Sequence, residues 1–158
     1  MMAGEVRTAI NLDISCPRIP VFRFMDMQDW EVFKNYLEPL HYCAGSILYN
    51  EGEPGDYLVY ILSGRLEALK KTAFLGKPVI LADFFPGSVV GEMAFVDGSP
   101  RSVTTKVLED AELLRFSRSS YEKLLDTTPL IGAKFLNGIA HLLSLRLRKA
   151  NERLATLF

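Results

Sequence analysis

Gly91-Glu92-Met93-Ala94-Phe95-Val96-Asp97-Gly98-Ser99-Pro100-Arg101-Ser102 is the stretch on which the reading of this chain turns. A glycine-marked turn opens it, a short apolar run follows, and a second Gly/Pro turn leads into Ser102-Val103-Thr104-Thr105-Lys106-Val107, which reads as a strand. Gly91 to Val96 reads as a helical turn, whose first N–H groups lack intrahelical acceptors. Outward from it, glycines at 45, 52, 55, 64, 76, 87, 91 and 98 separate apolar or alternating runs through residues 40–116, among them Leu58-Val59-Tyr60-Ile61-Leu62 and Pro78-Val79-Ile80-Leu81-Ala82. Short strands punctuated in this way predict an antiparallel roll or barrel. The runs differ in composition, so no solenoid repeat is read.

Helices flank the strands. Asp26 is placed to cap a helix in which Trp30, Phe33 and Leu37 recur at helical spacing, with Pro39 as its stop. Ser117 to Leu125 reads as a short helix. Thr128-Pro129 then reads as an N-cap followed by proline at the first helical position. From there Phe135, Ile139, Leu143, Leu147, Ala150, Leu154 and Leu157 step by threes and fours, with Arg146, Arg148, Lys149, Glu152 and Arg153 mostly beside or opposite them. The amphipathic helix over 129–158 exceeds what one small roll needs for cover, so part of its stripe is expected to meet a second copy. At the other end, Val6, Ile10, Leu12 and Ile14 alternate until Pro17 and Pro20 intervene, which reads as a short strand or extended arm carrying no chemistry. The expected fold is therefore mainly β: an antiparallel, jelly-roll-like β-roll of roughly eight strands, with a short N-terminal and a long C-terminal helix. Residues 1–22 form an arm and residues 23–158 the domain.

Bulk properties narrow the function. With 158 residues the chain suffices for one domain with a core. A net charge of −1 provides no global basic field to attract nucleic acid. No apolar run approaches the length of a membrane span, and Met1 to Arg7 lacks a signal-peptide core. Cys16 and Cys43 make neither a disulfide framework nor a metal spacing, and read as free thiols in a reducing cytoplasm. His41 and His141 stand apart from any Cys/His cluster, each as a helix-surface or core-edge residue. Walker, Gly-x-Ser-x-Gly and HExxH motifs are absent, and no carboxylate pair marks a general acid and base. Lys70-Lys71 and the basic residues of the tail read as solvated faces. A binding module is expected, not an enzyme.

The opening stretch carries the binding chemistry. Arg101 offers a fork of donors to phosphate oxygens, and Pro100 before it and a strand after it stiffen its approach. Ionised Glu92 is acceptor-only and suits a sugar hydroxyl. Glu92 also reads as a solvated turn carboxylate and Arg101 as a hairpin-surface residue, but both sit in one ordered motif. Gly91, Met93 and Ala94 would contribute backbone N–H groups, the Met93 and Phe95 side chains belonging to the core. Ser102 is open between a ligand contact and a bond to its own backbone.

These residues resemble the phosphate-binding cassette of cyclic nucleotide-binding domains, F-G-E-(aliphatic)-A-(aliphatic), a turn, then P-R-(S/T)-A. Tyr49-Asn50-Glu51-Gly52-Glu53-Pro54-Gly55-Asp56-Tyr57 through Glu67 is similar to the same family's β-roll entry, and Ala111-Glu112-Leu113-Leu114-Arg115-Phe116 with Ser119, Tyr121, Leu124 and Leu125 also fits. The resemblance covers Phe24 to the C-terminus. Val90 stands in place of the usual aromatic, and Val103 in place of the usual alanine, adding two methyl groups beside the phosphate site. The resemblance implies cAMP or cGMP as a regulatory ligand, with no cofactor and no metal. It implies Glu92 on the ribose 2′-hydroxyl and Arg101 on the cyclic phosphate, with Ser102 on the phosphate or a guanine edge. It places Asn151 where one branch of the family sets polar residues against the purine, one of them from a partner subunit. An amide there leans toward adenine, so cAMP is favoured; a surface or dimer-seam asparagine is the alternative.

The resemblance further implies a sensor whose C-terminal helix closes on binding, a homodimer through that helix, and signalling through an effector protein. The sequence stops at Leu157-Phe158, where the helix-turn-helix of the family's transcription regulators would begin, so nucleic acid is not expected as a partner of this chain alone, and without an apolar run of membrane length neither is a membrane. Two alternatives stay open: a ligand-silent interaction scaffold on the same fold, which Val103 favours and the Glu92/Arg101 pair opposes, and the sensor part of a truncated DNA-binding regulator.

Overall fold

A computed structural model of the chain describes residues 5–6, 19–72 and 76–156. The alternation expected through Ile10, Leu12 and Ile14 lies outside the described residues. Two compact units emerge. One comprises Tyr36–Ser120 with the strand Glu5–Val6; the other comprises residues 19–35 and 121–156.

The first unit is the roll. Among the described residues it has seven strands: β1 (Glu5–Val6), β2 (Glu38–Tyr42), β3 (Ile47–Tyr49), β4 (Tyr57–Lys71), β5 (Pro78–Phe84), β6 (Val89–Val90) and β7 (Thr104–Ser117). All registered pairs are antiparallel, in the order β1-β2-β7-β4-β5, with β3 on β7 and β6 on β4. The two longest strands organise the rest. Along β4 the pairing passes from β6, at Val59 and Tyr60, to β5, from Leu66 onward. Along β7 it passes from β3, at Thr105 and Lys106, to β2, at Ala111 to Arg115. The change falls where the β4–β7 ladder shifts register between Ile61 and Leu66. Bulges of this kind bend a strand pair, so each long strand serves two parts of the roll. Gly64 sits in the shift at φ +86°, and a Cβ there would stand 2.5 Å from the Asp110 carbonyl oxygen.

Alternation along these strands turns Leu40, Leu48, Val59, Ile61, Leu66, Val107 and Leu113 into one buried cluster. Pro39, expected to stop the first helix, lies inside β2 opposite Leu114. The helix has already ended, and among the described residues the β1–β2 register includes His41 and Tyr42 but not Pro39, whose missing N–H thus interrupts no described pair on that side.

The second unit is helical. α1 (Met27–Phe33) begins at Asp26, whose carboxylate accepts from the Asp29 N–H while that of Asp29 accepts from the Asp26 N–H. This reciprocal capping box satisfies two helix-end donors. The helix ends sooner than its spacing predicts, passing into a 3-10 turn at Lys34–Tyr36. The chain passes from the first unit to the second within α3 (Arg118–Thr127), at whose start Ser117 Oγ accepts from the Ser120 N–H. α4 (Pro129–Ala155) has Thr128 at its N-cap, but the Thr128 hydroxyl bonds back to the Leu124 carbonyl and leaves the cap without a side-chain bond. Gly138 lets α4 lie directly on the 3-10 turn Pro20–Phe22: a Cβ there would stand 1.7 Å from the Val21 carbonyl oxygen. Trp30, Phe33 and Phe135 are fully buried, with the Phe33 and Phe135 rings stacked 5.2 Å apart. Farther along, α4 exposes Leu147 and Leu154.

Candidate functional site

The turn expected at Gly91 is α2 (Glu92–Asp97), bracketed by two left-handed glycines: Gly91 at φ +87° and Gly98 at φ +71°. Side chains other than glycine rarely adopt that region. The apolar run behaves in two ways. Ala94 and Phe95 are buried, and the Phe95 ring packs against Phe116 at 5.8 Å. Met93 was expected in the core but is exposed, because a six-residue helix with Ala94 and Phe95 inward turns that position to solvent. Glu92 is buried, with 3% of its surface exposed.

Arg101 is buried as deeply. Its backbone is held at both ends by one loop: the Gly52 N–H donates to the Arg101 carbonyl, and the Arg101 N–H donates to the Glu53 carbonyl, each at 2.8 Å. Its guanidinium donates through Nη1 to the Gly91 carbonyl at 3.2 Å and through Nη2 to the Tyr57 carbonyl at 2.8 Å. Tyr49 and Tyr57 present their rings to it, with centroids 4.1 and 4.4 Å from Cζ. Arg101 Nε is buried and finds no acceptor among the described residues. A side chain at Gly91 would intrude on this packing, since its Cβ would lie 2.6 Å from Nη1.

Arg115 also packs on the Tyr57 ring, at 4.5 Å, and lies 3.8 Å from the Glu38 carboxylate. Burial pushes the Tyr49 phenol up to about 12, and raises that of Tyr57 as well, while the positive charge of Arg101 opposes both shifts. Both rings are thus neutral near pH 7 and present an electron-rich face to the cation.

Ser102 contributes its carbonyl, which accepts from Lys70 Nζ at 2.8 Å; the same ammonium pairs with Glu51 Oε1. Lys70 is therefore fixed beside the cassette, not merely solvated. Hydrogen bonding from Lys70 lowers the Glu51 carboxyl below its ordinary range. Val103 packs, half-buried, against the main core cluster. A cleft of about 380 Å³ opens nearby, lined by Asn50, Glu51, Leu69, Lys71, Pro78 and Thr104.

The structure thus brings Gly91 and Arg101 into direct contact, with Glu92, Met93 and Ala94 in the same short helix and Ser102 and Val103 following the arginine. Asn151 lies on α4 in the other unit and is exposed. Sequence reading missed Tyr49, Tyr57 and Lys70. Each meets the cassette only through strand pairing, although Tyr49 and Tyr57 stand within the quoted β-roll entry.

A roll that holds a glycine-initiated helical turn over a caged, buried arginine defines a binding module built on an antiparallel β-scaffold. Residues 39–128 match the cyclic nucleotide-binding domain, and the chain belongs to that family. It is 30% identical over 135 residues to the cyclic AMP receptor protein of Thermus thermophilus, across 85% of this chain and 60% of that protein. The fold superposes on the crystal structure of a cyclic nucleotide-binding domain from Methylobacillus flagellatus with a TM-score of 0.80 at 25% identity, covering 88% of this chain and 83% of that one. It matches the Thermus thermophilus catabolite activator protein with a TM-score of 0.74 at 30% identity, covering 87% and 62%. The chain spans less than two thirds of the length of this receptor protein and of other curated relatives it matches.

Proposed function

We propose that this chain is a cyclic-nucleotide sensor, a regulatory binding module and not an enzyme, with cAMP favoured over cGMP. The observation that carries the reading is Arg101: a buried cation, braced on both sides of its backbone, with a buried Nε–H that has no acceptor among the described residues, and with Nη1 on the Gly91 carbonyl at the start of α2. Leaving a buried charged donor unsatisfied is costly, and a phosphodiester oxygen would satisfy it. In this reading Arg101 takes the cyclic phosphate together with the Gly91, Met93 and Ala94 amides, and Glu92 accepts from the ribose 2′-hydroxyl. Ser102 and Val103 border the phosphate.

The preference for cAMP rests on the Asn151 amide, which can both donate to and accept from an adenine edge. Ligand binding shifts the setting of the C-terminal helix only to the extent that it binds one setting more tightly. The readout is a change in that helix and in a homodimer it forms, passed to an effector protein.

Calorimetric titration of nucleotide-free protein with cAMP and cGMP tests the proposal, beside Arg101→Ala. Removing one partner of a desolvated charge pair costs about 2–5 kcal/mol, so the variant should bind at least about thirtyfold more weakly. No heat of binding from either nucleotide in folded wild-type protein would reject the sensor reading and leave the ligand-silent scaffold.

A further inference from the structure

We propose that Cys43 is a thiol modification site, activated by His41 and Glu112, on the face of the roll formed by β2 and β7. The inference is independent of the nucleotide-binding reading and uses none of its residues.

Three side chains converge here. His41 and Cys43 are two residues apart: His41 lies on the side of β2 opposite buried Leu40 and Tyr42, and Cys43 directly follows the strand's last residue. His41 is registered directly across from Glu112 on β7. Its Nδ1 lies 2.9 Å from Glu112 Oε1, and its Nε2 lies 3.9 Å from Cys43 Sγ. A neutral imidazole whose Nδ1–H donates to the carboxylate presents a lone pair on Nε2, facing the sulfur. The arrangement is a nucleophile, a base and a residue orienting the base.

The thiol is held where a reagent can reach it. Cys43 is free and exposed. Its backbone is fixed in a turn: its carbonyl accepts from the Ser46 N–H at 3.1 Å, the Ala44 N–H donates to Asp110 Oδ1 at 2.7 Å, and Gly45 takes φ +88°. Among the described residues no group of three His, Cys, Asp or Glu side chains is arranged to hold a metal ion, so the cluster is not a metal site.

The chemistry is thiol–disulfide exchange with a low-molecular-weight disulfide. The Cys43 proton passes to His41 Nε2, and the imidazolium is stabilised by Glu112. The Cys43 thiolate attacks one sulfur of the disulfide, a new S–S bond forms and the original one breaks. The departing thiolate takes the proton from His41, so the products are a mixed disulfide on Cys43 and one free thiol. Glu112 and Asp110 make the surroundings acidic, which favours a cationic reagent over an anionic one.

Cystamine, a dicationic disulfide, is the probe. The full chain carrying Cys16→Ser leaves Cys43 as its one thiol, and mixed-disulfide formation is followed by intact-mass spectrometry at fixed pH. The expected result is that His41→Gln slows modification by roughly tenfold or more, that Glu112→Gln slows it by a smaller factor, and that neither changes the melting temperature in proportion. An equal rate in His41→Gln would overturn the proposal, showing only an exposed thiol. If His41→Gln does not fold, Glu112→Gln decides, since an unchanged rate there removes the orienting role and the proposal with it. Cys16→Ser protein that reacts no faster than N-acetylcysteine overturns it equally.

Discussion

Arg101 has its backbone clamped by the Gly52–Glu53 loop, its Nη atoms on two carbonyls and its plane among two tyrosine rings. A guanidinium so fixed surrenders little entropy when it meets an anion. The rings matter because they position the cation without neutralising it, as a carboxylate would. Replacing Tyr57 with Leu keeps much of the apolar bulk and removes the ring face shared with Arg115. Desolvated cation–π contacts contribute about 1–2 kcal/mol, so Tyr57→Leu should weaken nucleotide binding by roughly tenfold in calorimetry. Unchanged affinity would assign the ring to packing alone. Tyr49 makes a second, solution-wide prediction. Its folded value stands above the ordinary phenol value of 10, at about 12, because of burial. The folded state therefore favours the neutral phenol: its contribution to stability is full below pH 10 and is lost as pH rises from there toward about 12. Denaturant melts across that range should show the decline, and Tyr49→Phe should flatten part of it.

At the scale of elements, glycines decide how closely backbones approach. Gly138 on α4 is the tightest case, with the Val21 carbonyl where a Cβ would stand. A backbone atom cannot swing aside, so Gly138→Ala forces α4 off the Pro20–Phe22 turn despite alanine's better helix propensity. The expected cost is on the order of 1–3 kcal/mol or more, read as a lower urea midpoint; an unchanged or higher midpoint would mean that the contact yields. The same scale explains what could be read from the chain. Asp26, Gly91, Gly98 and Pro129 act within a few residues of themselves, so the Asp26 cap, the short turn at Gly91 and the start of α4 were legible, though not the reciprocal bond from Asp29. Tyr57 over Arg101 and His41 against Glu112 depend on which strands pair and in what register, and neither is encoded locally. Pro39 misled for the same reason, because its tolerance in β2 depends on the neighbouring strand. Met93 misled because a hydrophobic residue in a six-residue helix has too few turns of periodicity to reveal its face.

Over the whole molecule, two features of the helical unit govern behaviour in solution. The first is acid stability. Burial would raise the Asp29 carboxyl, but bonds from Lys134 Nζ and from the Asp26 backbone outweigh it and hold the group below its ordinary value of 3.8. A depressed carboxyl stabilises the fold above its unfolded value, and that stability is lost as pH falls below about 4. Asp29→Asn should therefore lower stability at neutral pH while shrinking the difference between neutral and pH 3 melts. A variant with the wild-type acid slope would remove Asp29 from the account.

The second is association. Leu147 and Leu154 are seven residues apart on α4, and 63% and 56% of their surfaces are exposed. Seven residues is two helical turns, so the pair forms one edge of a stripe, with Asn151 between them at the three- and four-residue steps. Exposed leucines repeating in this way are costly to leave in water and suit a parallel seam with a second copy, in which a polar residue sets the register. Burying one such leucine contributes about 1.5–3 kcal/mol, and a symmetric dimer buries each of them twice. A glutamate at the seam would both forfeit that burial and place two like charges face to face. If the proposed homodimer forms through this stripe, the wild type should sediment as a dimer and Leu147→Glu as a monomer at the same concentration, with its far-UV circular dichroism unchanged because glutamate is a good helix former. A variant that remains dimeric would move the association surface elsewhere and leave these leucines to another partner.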